Sequence, residues 1–89
     1  MTDDAVRVVL YGRAGCHLCD DARVVVAAVA AAAGARWIEV DVDAAAAHDG
    51  GALQRAYGEQ VPVVLVDGVQ RDYWRIDGER LAAALRLRP

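Results

Sequence analysis

The chain has 89 residues, 56% of them hydrophobic and 26% charged, a composition that supports one packed domain spanning 1–89 and excludes a disordered polymer. Its formal net charge is −3 and its ten cations are all arginines, scattered from Arg7 to Arg88, so no nucleic-acid partner is expected. The longest apolar run, residues 24–33, is about half of the roughly 20 residues that a bilayer span needs, so no membrane partner is expected either.

The opening Met1-Thr2-Asp3-Asp4 is acidic and lacks the basic start and apolar segment of a secretory signal, which makes a cytoplasmic location the expectation. The chain contains no Ser, Asn, Lys or Phe, and Thr2 is its single threonine, in a start expected to fray. Serine, threonine and lysine nucleophiles are thereby excluded.

Residues 5–11 form a short β-rich run ended by Gly12. Beyond Cys16 the composition turns to helix formers through Ala33, and Gly34 suits the helix C-terminal cap. An apolar stripe of Leu18, Ala22, Val25 and Val29 is predicted to dock this helix on a sheet. Residues 36–42 read as a second strand, with Ile38, Val40 and Val42 on one face and Trp37, Glu39 and Asp41 on the other. A helix of about 17 residues between two strands allows a right-handed crossover, so these strands are predicted to be parallel neighbours.

Residues 44–57 predict a broken second helix, because Ala44 to Ala47 favour helix and His48-Asp49-Gly50-Gly51 interrupts it. Residues 61–66 and 69–76 are β-rich and flank Asp67-Gly68, a strong signal for a two-residue antiparallel hairpin. Asp77 suits the cap of a final helix in which Leu81 and Leu85 share a face and Arg86 and Arg88 complement the dipole. The predicted order is β-α-β-α-β-β-α, an α/β class with a four-stranded mixed sheet. Tyr73 and Trp74, late in the last strand, are expected to pack against a helix and are left out of the site.

The two cysteines, Cys16 and Cys19, are three positions apart, so a bridge between them closes too small a loop to staple the fold. Cys16 falls where the helix begins, beside unpaired N–H groups and the positive dipole end, which favours a thiolate. It is the predicted nucleophile. Cys19, one turn further in and nearer the core, suits the resolving role. Asp20 and Asp21 oppose the thiolate.

Arg13 suits thiolate stabilisation, a substrate carboxylate, or a plain solvated position. His17 adds charge below its reference pKa of about 6.5 or forms a wall of the site. The same Cys spacing also supplies half of a zinc site, but the only histidines are His17, inside the motif, and His48, in another segment. No metal or organic cofactor is required.

The run Tyr11-Gly12-Arg13-Ala14-Gly15-Cys16-His17-Leu18-Cys19, followed by Gln60-Val61-Pro62, resembles glutaredoxin-like proteins of the thioredoxin superfamily, in particular the short bacterial Cys-His-Leu-Cys type. The resemblance implies a thioredoxin-like fold, a cis peptide bond before Pro62, and a Val61 backbone free to pair with an extended substrate. From the residues alone, an ordinary trans proline opening the third strand is the expectation, since cis bonds remain rare.

By the same resemblance, Tyr11 and Arg13 line a glutathione groove. The chain departs from dithiol glutaredoxins in carrying His17-Leu18 within the motif, no Thr before Val61, and Asp72-Tyr73-Trp74 where a glycine pair and an acidic residue serve glutathione.

The function so implied is thiol-disulfide exchange with glutathione or a protein disulfide as partner, glutathione acting as co-substrate, in a monomer. Two other readings use the same cysteines: a module in which Cys16 holds a metal or iron-sulfur cluster, and a redox sensor without turnover.

Overall fold

The computed structural model describes residues 5–87, so Met1 to Asp4, Arg88 and Pro89 lie outside the described residues. Eight elements follow in order: β1 (Val6–Gly12), α1 (His17–Ala33), β2 (Arg36–Asp41), α2 (Val42–Asp49), α3 (Ala52–Tyr57), β3 (Val63–Val66), β4 (Val69–Tyr73) and α4 (Gly78–Arg86). The strands form one mixed sheet ordered β2-β1-β3-β4, with β1 parallel to β2 and antiparallel to β3, and β3 antiparallel to β4.

Local chemistry accounts for the boundaries. Gly34 takes φ 66° and its N–H reaches back to the carbonyls of Ala30 and Ala31, which ends α1 where a side chain would meet backbone strain. Asp67 and Gly68 both have positive φ, 51° and 82°, as the tight turn between β3 and β4 requires.

Three extents differ from the sequence expectations. The second strand stops at Asp41 because the Asp41 carboxylate accepts from the N–H groups of Asp43 and Ala44, which recruits Val42 as the buried first residue of α2. The third strand starts at Val63, after Pro62, which has no N–H to give the ladder. The fourth ends at Tyr73 because Trp74 turns to φ 60°.

The core lies between the sheet and the α1–α4 layer and contains Val8, Leu10, Ala22, Val26, Val64, Val66, Leu81, Ala84 and Leu85, with Trp37 packed against it. Trp37 therefore marks the face of β2 turned toward α1, while Ile38 on the opposite face is exposed. The buried stripe of α1 is Cys19, Ala22, Val26 and Ala30, one step round from the predicted Leu18-Ala22-Val25-Val29. Burial of Cys19 against the sheet sets this rotation, and half-buried Val25 and Val29 flank Gly78 at the start of α4.

Candidate functional site

Cys16 is the N-cap of α1, in extended conformation, and its Sγ accepts the N–H of Cys19 at 3.1 Å. An N-cap position normally taken by Ser or Asp is thus filled by sulfur, which receives one of the orphan donors of the first turn. Cys16 and Cys19 form a disulfide. Cys16 is half-buried and Cys19 fully buried. Gly12, at the end of β1, lies against Cys19, and a Cβ there would stand 3.3 Å from the Cys19 sulfur.

The sheet register brings a second segment to this end of the molecule. Tyr11, one residue before Gly12, pairs with Val63, which directly follows Pro62. The Val61–Pro62 peptide is cis and Pro62 is buried. The carbonyl of Pro62 accepts from the Trp74 N–H at 2.8 Å, and Leu18 and Val61 line one open groove with Tyr73 and Trp74.

Tyr11 stacks on Tyr57 of α3, ring centroids 4.8 Å apart and planes 13° from parallel. Burial first, and the neighbouring Tyr57 second, push the Tyr11 hydroxyl above its ordinary pKa. Arg13 pairs with Asp43, whose Oδ1 accepts from Arg13 Nη2 at 3.0 Å and from Gln54 Nε2 at 2.8 Å. These partners, Gln54 foremost, hold the Asp43 carboxyl below its usual range. Arg13 Nε is buried without a hydrogen bond among the described residues. His17 is exposed in the first turn of α1.

Tyr73 and Trp74 differ from expectation. Instead of packing under a helix they are 47% and 53% exposed and meet edge to face, centroids 5.0 Å apart. The strand ends at Tyr73 and turns at Trp74, φ 60°, and the indole Nε1 donates to the Glu59 carbonyl. Asp43, Tyr57 and Gln54 escaped the sequence reading because no spacing links them to Arg13 or Tyr11. Among the described residues no group of three or more His, Cys, Asp or Glu is placed to hold a metal ion.

A dithiol-disulfide pair at the head of a helix, backed by a four-stranded mixed sheet in the chain order β-α-β-α-α-β-β-α, defines the glutaredoxin-like class of the thioredoxin superfamily. The comparisons agree: residues 7–86 match the family model described as "Glutaredoxin-like domain", and the chain belongs to that family.

Uncharacterized proteins of Mycobacterium tuberculosis and Mycobacterium bovis are 36% identical over 77 residues, covering 86% of this chain and 79% of theirs. A structural genomics target protein from X. campestris is 35% identical with TM-score 0.70, covering 92% of this chain and 99% of that one. The holo form of glutaredoxin C1 from poplar, Populus tremula x tremuloides, is 22% identical with TM-score 0.61 over 91% of this chain and 84% of that one, a likeness of fold. Family and disulfide together assign thiol-disulfide redox chemistry in general to this chain.

Proposed function

We propose that the chain is a thiol-disulfide oxidoreductase working by dithiol exchange, with Cys16 as nucleophile and Cys19 as resolving thiol. In the reduced protein the Cys16 thiolate attacks a disulfide of a small molecule or protein. One substrate sulfur bonds to Cys16 and the other leaves as a thiolate that takes up a proton. Cys19 then loses its proton and attacks the Cys16 sulfur, which expels the second substrate thiolate and forms the Cys16–Cys19 disulfide. The substrate gains two electrons, and two equivalents of an external thiol such as glutathione return the protein to the dithiol.

The observation that carries this reading is the asymmetry of the pair: Cys16 is half-buried at the N-cap with its sulfur receiving a backbone N–H, and Cys19 is fully buried. Tyr11, His17 and Val61 form the substrate-facing wall in this reading, with buried Pro62 behind Val61 as its support, and Arg13 meets a substrate carboxylate by exchanging it for Asp43. No metal or organic cofactor takes part in these steps.

The test is reduction of bis(2-hydroxyethyl) disulfide, coupled in parallel to glutathione with its reductase and to thioredoxin reductase. Turnover is expected with one of the two donors, with at least a hundredfold loss in Cys16→Ser. Cys19→Ser is expected to accumulate a mixed disulfide at Cys16, seen as added mass. Wild-type turnover by Cys16→Ser overturns the proposal.

A further inference from the structure

We infer that the groove running from Leu18 and Val61 to Trp74 and Arg75 docks an extended acidic polypeptide segment bearing an apolar side chain. This rests on the oxidoreductase reading and names its substrate class as an acidic protein disulfide.

The groove holds about 1050 Å³, just above the roughly 300–1,000 Å³ of small-molecule clefts, and is open to solvent. Leu18, which lies between the two cysteines in sequence, and Val61, next to Pro62, line it, so the groove adjoins the segments that carry the redox pair. Its apolar shelf is Trp74, an exposed ring that is firmly held. The Trp74 N–H is shared between the carbonyls of Pro62 at 2.8 Å and Gln60 at 3.2 Å, and its Nε1 reaches Glu59 at 3.1 Å. A bulky residue at φ 60° is a costly conformation, and these bonds maintain it. A pre-set exposed aromatic suits partner binding, because little side-chain freedom is left to lose.

The charge of the groove selects the partner. Arg71, Arg75 and Arg80 line it, with Asp72 as the single carboxylate. Asp72 is already engaged: Oδ2 accepts from the Asp77 N–H and from Arg80 Nε, and Oδ1 from the Tyr73 N–H. Arg71 and Arg75 make no ion pair among the described residues. The β3–β4 register also passes over Arg71, from Val64 opposite Asp72 to Leu65 opposite Gln70, an irregularity of the kind that re-aims a side chain. Two guanidinium groups without a close ion pair, Arg75 and an Arg71 whose charge also reaches Asp67, stand beside an aromatic shelf in a chain of net charge −3 and make a local cationic site complementary to carboxylates.

The test uses the oxidised full chain and two fluorescein-labelled octapeptides without cysteine, alike in a central Leu-Phe and differing in Glu or Lys flanks, read by anisotropy. The Glu peptide is expected to bind at least tenfold tighter, and to lose at least fivefold of that affinity in 0.5 M NaCl. Arg71→Glu combined with Arg75→Glu is expected to reverse the preference toward the Lys peptide, a gain that an unfolded chain does not produce. Trp74→Ala is expected to weaken the Glu peptide about tenfold.

Equal affinity of the wild-type chain for the two peptides, or an unchanged preference in the double variant, overturns the inference. Failure of the oxidoreductase reading shows separately, as absent turnover of bis(2-hydroxyethyl) disulfide.

Discussion

Gly12 and Cys19 are packed so closely that a single added carbon on Gly12 would stand 3.3 Å from the buried sulfur. A contact that short forces the neighbour to move, and Cys19 in the disulfide has nowhere to go, being fully buried and tied to Cys16. Gly12→Ala is therefore expected to destabilise the oxidised protein by about 1–3 kcal/mol, the usual cost of overpacking. The reduced protein, whose Cys19 side chain is free to rotate, is expected to lose less. Urea unfolding with and without dithiothreitol measures both losses, and equal losses contradict the argument.

The reduced Cys16 thiol is expected to ionise below the reference value of about 8.5, because helix N-terminal N–H groups and the dipole favour its anion. Asp20, in the first turn, works against this, and its charge is partly neutralised by Arg23, which donates to Asp20 Oδ1 at 3.1 Å. Arg23 also holds Glu39, donating from Nε at 2.6 Å and Nη2 at 2.7 Å, so Arg23→Ala removes one positive charge and frees both carboxylates, and the Cys16 pKa is expected to rise. The pH profile of iodoacetamide alkylation at Cys16, read by mass, checks the sign. An unchanged or lowered pKa in the variant would show that the charges around Arg23 do not act on the thiol.

Helix α1 was legible at both ends because its signals are local: a cysteine at the point where helix formers begin, and a glycine after the last alanine. The hairpin was legible for the same reason, since Asp67-Gly68 carries its own turn chemistry. The rotation of α1 was not, because choosing Val26 over Val25 as the buried residue depends on which side of the helix meets the sheet. Trp74 was hidden for a stronger reason. Its reversal of φ is maintained by carbonyls of Glu59, Gln60 and Pro62, on a segment that the sequence places more than ten positions away. The cysteine pair was thus readable, while the groove beside it was a tertiary product.

Stacking of Tyr11 on Tyr57 has a spectroscopic consequence. Burial is the larger cause of the raised Tyr11 pKa and Tyr57 the smaller, so Tyr57→Phe is expected to lower that pKa while leaving it above the ordinary value of about 10. The difference at 295 nm between titrations of the wild type and of Tyr11→Phe isolates the Tyr11 ionisation. Complete return to the ordinary value in Tyr57→Phe would make the neighbour, and not burial, the dominant cause.

Acid is expected to weaken the fold through named carboxylates. Asp67 accepts from Arg7 Nε at 3.0 Å and Arg7 Nη2 at 2.8 Å, and this pairing holds its carboxyl below the usual range. Asp77 is lowered by the N–H groups of Arg80 and Glu79 that it caps, and Asp43 chiefly by Gln54.

A carboxyl with a lower pKa folded than unfolded leaves the unfolded chain binding more protons in the window between the two values. Its stabilisation is complete above the unfolded value of about 3.9 and disappears as pH falls through the folded value. Stability should thus decline steadily below about pH 4. Asp67→Asn removes the charge while keeping a residue that tolerates the positive φ of the turn, so it is expected to cost about 1 kcal/mol at pH 7 and almost nothing at pH 2. Urea midpoints across pH 2–7 for both proteins give that difference directly, and a cost independent of pH would assign it to the turn geometry instead of the ion pair with Arg7.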